Sequence, residues 1–218
     1  MPGRTSFRAA AVIGSILLMA GCDDERAPEA SAPAPAAKPA VSSPVSAPAA
    51  RPDPTFGLAV VKAIELREWS SEAPAYTNAV SLKQGEGQPL SISFSAGDKD
   101  KAAVRKALGT LAVPAGAVLV LQVTNPNAFA VPLAIAVKTG KGWTYHESER
   151  VTVAPGGKAP QQLVFNLAGS TFKSEATQWK NSGAISDLDQ AKELQVCIYS
   201  QKQAGEIVVN AVDLRAKP

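Results

Sequence analysis

From residue 55 onward the apolar residues come in short runs rich in Val, Ile and Leu, separated by clusters of Gly, Pro and Asn. That punctuation constrains the fold more than any other feature. An amphipathic helix needs apolar positions recurring every three or four residues over a long, uninterrupted stretch, and turn formers at this density deny it. Strands are expected at 59–66, 90–94, 118–124, 130–138, 143–146, 149–153, 161–166, 194–200 and 206–214. Pro126-Asn127, Gly140-Lys141-Gly142 and Pro155-Gly156-Gly157 read as the loops between them. Residues 98–108 are the clear helical candidate: Val104 and Leu108 share a face, Lys99 and Lys106 point away from it, and Gly109 is a stop signal. A shorter helical turn is expected near 187–192. Many strands with few helices predict an all-β fold, an antiparallel β-sandwich, and roughly 160 residues suffice for one buried core.

The first 54 residues have a different logic. Arg4 and Arg8 precede an apolar stretch, 9–18, that is too short to span a bilayer comfortably. Leu18-Met19-Ala20-Gly21-Cys22 follows, with small residues before a thiol. This resembles the lipobox of bacterial lipoproteins. The resemblance implies a signal peptide over 1–21 and acylation, palmitate included, of Cys22. Each buried methylene of the acyl chains contributes about 0.8 kcal/mol to membrane attachment. Asp23 and Asp24 resemble an inner-membrane retention signal, which implies a periplasm-facing protein on the inner rather than the outer membrane. From 25 to 54 Pro, Ala and Ser dominate, so no apolar set exists to bury and Pro blocks helix and ladder alike. Residues 22–54 are thus the lipidated Cys and a disordered linker, and 55–218 the domain. Without Arg4 and Arg8 the formal charge falls from +3 to +1, and no long Lys/Arg run remains to bind nucleic acid.

The order of motifs carries a second resemblance. VLVLQVTNPNAFAVPLAIAVKTGKGWTYHES is followed by VTVAPGGKAPQQLVFNLAGSTF, then a loop bearing Trp179, then a closing EIVVNAVDLR. Over about 58–216 this is similar to the galactose-binding-like jelly rolls found as carbohydrate-binding modules. The resemblance implies a jelly-roll sandwich that binds a glycan without catalysis. It also implies a structural calcium held by an early acid, matched by Glu65, and an Asp of the last strand, matched here by Asn210. An amide oxygen can ligate calcium, but the substitution removes one charge.

Catalytic motifs are sparse. His146 is the single histidine and nothing selects a serine partner, while no P-loop, G-x-S-x-G or Cys/His metal cluster is present. Glu147 with Glu149, and Asp187 with Asp189, have the spacing of paired carboxylates, but such pairs are common on solvated faces. An orphan glycosidase or lyase is therefore the weakest reading. Cys197, in an apolar strand, is expected to be packing.

Sugar recognition needs an aromatic platform with amide or carboxylate partners. Trp69, Trp143, Tyr145, Trp179 and Tyr199 are candidate platforms, and Asn125, Asn127, Gln178 and Glu147 candidate partners. Alternation places Trp143, Tyr145 and Glu147 on one face of their strand and His146 on the other. The alternative to a glycan is a protein partner in the envelope, bound by the same sandwich without a sugar site.

Overall fold

The computed structural model describes residues 55, 57–200 and 202–217. The signal peptide, Cys22, Asp23, Asp24 and the linker to residue 54 lie outside them. Twelve strands build two sheets: β1 Ala59–Ala63, β2 Ser70–Ser71, β3 Val80–Lys83, β4 Leu90–Phe94, β5 Ala102–Leu111, β6 Val118–Thr124, β7 Val131–Thr139, β8 Thr144–Glu147, β9 Val151–Val153, β10 Gln161–Asn166, β11 Ala191–Ile198 and β12 Gly205–Ala216. Sheet A runs β10-β6-β12-β4-β3, with β1 also on β12; sheet B runs β2-β5-β11-β7-β8, with β9 also on β7. The ladders between these strands are all antiparallel. This is the jelly-roll β-sandwich expected from the motif order.

The inner faces supply one core. Leu90, Ile92, Leu121, Leu133, Ile135, Leu194, Ile198, Ile207 and Leu214 are fully buried there. Each contributes about 2 kcal/mol by leaving water. Trp69, expected as a candidate platform, is instead core: it is 2% exposed and its indole Nε1 donates to the Glu65 carbonyl at 3.0 Å.

The expected helix at 98–108 is a strand. β5 is bracketed by β2 and β11, pairing Ser70 with Arg105 and Val196 with Val104. Ala, Lys and Arg favour a helix locally, but two ladders and a buried Ala102-Ala103-Val104 outweigh a preference of tenths of a kcal/mol per residue. The turn expected near 187–192 is the short 3-10 helix Leu188–Gln190, running directly into β11.

Candidate functional site

Sheet B has an unusual outer face. Ala103, Ala134, Ala136 and Cys197 are all buried there, a floor of small residues against which Tyr145 and Tyr199 pack. Register explains the assembly: Cys197 lies between Ala103 and Ala134, and Gln195 between Arg105 and Ala136, which in turn pairs with Glu147. Around this floor stand residues of the loops 72–77, 98–101, 150 and 173–179, enclosing a groove of about 660 Å³. The small residues lie fully buried beneath Tyr145 and Tyr199, and it is these two rings, Gln195 and the surrounding loop residues that line the groove.

Glu147, at the end of β8, is 1% exposed and sits in the groove wall. Lys101 Nζ reaches its Oε2 at 2.5 Å and Lys173 Nζ its Oε1 at 2.8 Å. The hydroxyls of Tyr145 and Tyr199 also donate to it, and Lys101 Nζ contacts the Tyr145 oxygen at 2.7 Å. Burial alone would raise the carboxyl; the Lys101 charge and the donors from Lys101, Lys173 and Tyr145 outweigh burial and hold it at about 2. Burial and the adjoining Glu147 push both tyrosines up, so they remain donors. Burial raises the Cys197 thiol to about 11, an inert neighbour as expected of a packing cysteine.

The far half of the groove has its own ion cluster. Lys138 bridges Glu72 at 3.1 Å and Glu193 at 2.8 Å, and Arg105 reaches Glu193 at 3.4 Å. Gln195 Nε2 donates to both carboxylates. Burial opposes the Glu72 charge, but the Ala73 amide and Lys138 keep its carboxyl below the ordinary range.

The loops that complete the groove are fixed at their bases. Asn78 accepts from the Lys99 amide and donates to the Lys99 carbonyl, which fixes the 98–101 turn beside β5. Gly97 is required there, because a Cβ would collide with the Asn78 Oδ1. Phe172, 1% exposed, anchors the following loop in the core, while Lys173 exchanges two backbone hydrogen bonds with Glu147. That exchange delivers the Lys173 side chain to the carboxylate. The 3-10 turn Glu175–Thr177 then leads into Gln178 and Trp179, with φ of 53° and 62°. Two consecutive non-glycine residues in this left-handed region each cost about 1 kcal/mol. The result is Trp179 projecting at 57% exposure, its ring 6.2 Å from that of Tyr145 and tilted 49°.

Of the residues expected at a sugar site, Tyr145, Glu147, Trp179 and Tyr199 meet in the groove. Trp143 does not line it: a φ of 55° turns it out of the strand's alternation, and it stands half-exposed beneath the Lys192 ammonium, 5.0 Å from its ring centre. Asn125 and Asn127 are spent on the fold. Asn125, fully buried, donates to the carbonyls of Phe129 and Val153 and accepts from Asn127; Asn127 in turn exchanges two hydrogen bonds with the Glu206 backbone. Tyr76, Lys101, Arg150 and Lys173 are groove residues that sequence reasoning missed. Tyr76 and Lys173 fall where no element is expected, while Lys101 and Arg150 stand at the starts of segments read as a helix and a strand, where nothing marks them as site residues.

Glu65 and Asn210 line a separate hollow. Glu65 is exposed and paired with Arg67 at 2.8 Å, and the Asn210 amide donates to Thr124 Oγ1 at the β12 bulge. Among the described residues no three His, Cys, Asp or Glu gather as metal ligands. Of the pair the resemblance implies for calcium, the Glu65 carboxylate is engaged by Arg67, while the Asn210 amide oxygen is the group that would face a metal. His146 is buried opposite Tyr145, with Nε2 3.2 Å from Ser186 Oγ. Its Nδ1 is buried without a hydrogen-bond partner among the described residues, so the pair lacks the orienting group a hydrolytic relay uses.

Compared by sequence, the chain matches no family profile and no curated protein. Compared by structure, it is similar to the family 11 carbohydrate-binding module from Clostridium thermocellum in complex with a β-1,3-1,4-mixed-linked tetrasaccharide. The TM-score is 0.50 at 14% identity, over 70% of this chain and 94% of the module. It is also similar to an agarase, AgWH50C, with a TM-score of 0.52 at 13% identity over 74% of this chain, and to PfGH50B, with 0.53 at 13% over 73%. The chain spans only about a quarter of each of the last two, 25% and 24%. At these identities the likeness defines a shared β-sandwich fold.

Proposed function

We propose that the domain is a non-catalytic carbohydrate-binding module and that the groove on the outer face of sheet B is its glycan site. The observation that carries this is the meeting of Tyr145, Tyr199, Trp179 and Tyr76 around one hollow, with Trp179 and Tyr76 57% and 72% exposed. Soluble domains normally bury such rings, whereas a sugar's C–H face needs an accessible one. The floor and the buried ions beneath them give a rigid base, so little ordering cost falls on binding. The tetrasaccharide complex of the similar module supports the same reading.

The groove's carboxylates argue against hydrolysis. A glycosidase needs an acid whose pKa is raised, next to a second carboxylate across the substrate. Of the four carboxylates lining the groove, Glu72 and Glu147 are held low and paired with cations, and Asp98 and Asp100 are exposed neighbours on one loop rather than a pair facing across the hollow. A glycan array followed by calorimetry on the full chain tests the proposal. Trp179→Ala should lower affinity by roughly fivefold or more, taking the roughly 1–3 kcal/mol that a nucleobase gains by stacking on an aromatic ring as the scale. Silence across a broad array from folded protein would sink the glycan reading and leave an envelope protein as the partner.

The same proposal places the domain on a tether, lipidated at Cys22 and facing the periplasm from the inner membrane, with Asp23 and Asp24 as the retention signal. Its support is the sequence pattern around Cys22. Labelled palmitate should enter the wild-type chain and not Cys22→Ser, and density fractionation should place the labelled protein with inner-membrane markers. Label in both proteins, or in neither, would overturn the tether.

A further inference from the structure

The two halves of the groove differ in charge. Around Lys138 the balance closes, with Lys138 and Arg105 facing Glu72 and Glu193. Around Tyr145 and Tyr199 it does not. Lys101 and Lys173 share the single carboxylate of Glu147. Arg150 adds a third cation, its guanidinium carbon 3.5 Å from the Tyr199 ring centre, and it makes no ion pair within 4 Å among the described residues. The aromatic end thus carries three cations against one buried anion. Asp98 and Asp100, on the exposed 98–101 rim, also line the groove; Arg150 is exposed as well, so water screens these three alike and the buried imbalance is that of Lys101 and Lys173 against Glu147.

Donor capacity agrees with charge. An ammonium has three protons; Lys101 directs two, to Glu147 and Tyr145, and Lys173 one, to Glu147. Arg150 lies over the Tyr199 ring and lines the groove, and its planar fork makes no ion pair among the described residues. Such a fork matches two coplanar oxygens. A neutral sugar would leave these donors with hydroxyls alone, whereas an anionic substituent would complete the balance.

We infer that the groove recognises an acidic glycan, its anionic group seated among Arg150, Lys101 and Lys173 while the sugar ring stacks on the Trp179–Tyr145 pair. This rests on the groove being a glycan site. The anion could be a uronate carboxylate or a sulfate ester, which share the charge but differ in shape.

The test uses the full chain and three probes of equal length: an oligouronate, a sulfated oligosaccharide and their neutral counterpart. The expected result is at least about tenfold tighter binding of an acidic probe, weakened by salt and reduced to the neutral level by Arg150→Gln. Uronate preferred over sulfate would identify the planar fork as the reader, and sulfate preferred would mean that charge rather than fork geometry decides; either supports the inference when Arg150→Gln removes the preference. Trp179→Ala should weaken binding of every probe by roughly fivefold or more. Neutral and acidic probes binding alike, or an acidic preference that survives both salt and Arg150→Gln, overturns the inference while the glycan site stands. No binding of any probe overturns both.

Discussion

The outer faces of the two sheets obey different rules. On sheet A, Ser91, Ser93, Gln122, Thr124 and Glu206 are half-buried and alternate with buried neighbours, as a solvated face should. On sheet B, β7 and β11 are buried almost throughout, yet their outer positions include Glu193 and Gln195, both under 6% exposed. A polar group on the first face is satisfied by water. On the second it must find a partner within the protein, and here each finds one. Since apolar filling of such a face is often neutral or stabilising, a buried ionic network is weak evidence for stability. Its use is to hold side chains in position, and the side chains held are those of the groove.

The contrast can be broken most forcefully at Glu147. Glu147→Leu leaves Lys101 and Lys173 without their anion and should destabilise the domain by about 3 kcal/mol, read from chemical denaturation. A loss under about 1 kcal/mol would mean the face is as solvated as that of sheet A. Acid provides a related measure. The folded carboxyl lies at about 2, below its ordinary 4.5, so the unfolded chain binds the proton first as pH falls. The stabilisation is therefore complete above about 4.5 and drains away toward 2, amounting to about 3 kcal/mol. Glu147→Gln should lack that part of the acid limb; an unchanged limb would contradict the assignment.

A smaller effect is expected at Asn125. Asn125→Ala orphans the Phe129 and Val153 carbonyls and releases Asn127, for about 2 kcal/mol. Glycan affinity should not change, because Asn125 lies outside the groove; a parallel loss of affinity would refute that separation. Last come Trp179→Ala, at the half-exposed rim, and Ser93→Ala, on the face of sheet A. Each should shift stability by no more than about 0.5 kcal/mol. Only the first should alter binding.

The same contrast explains what could be read from sequence. β4, β6 and β10 begin and end where the pattern placed them, because in sheet A one residue in two meets water and the period shows. β5 reads as helix because its pairing partners lie far along the chain and its Ala, Lys and Arg favour a helix locally; Ala102, Ala103 and Val104 are buried on both faces, and only from Arg105 on does every second residue meet water. Tyr145 and Glu147 were legible as neighbours on one strand face. Trp143 was not separable from them, since its departure depends on one positive φ. Lys101 and Lys173 reach Glu147 from separations of 46 and 26 residues, and no local pattern encodes such a meeting.

Strand order in sheet A has a consequence for how the chain comes into being. β12 is the last strand, yet β1, β4 and β6 all pair with it, β4 along its first half and β1 along its second. Until residues 205–216 arrive, three strands made long before have no common neighbour, and their closure must await contacts spanning up to the whole domain. Vectorial folding from the first strand onward is thus closed to this topology. Until then sheet A exists only as separate pairs, β6 with β10 and β3 with β4, and the strand that joins them is the last of the twelve described.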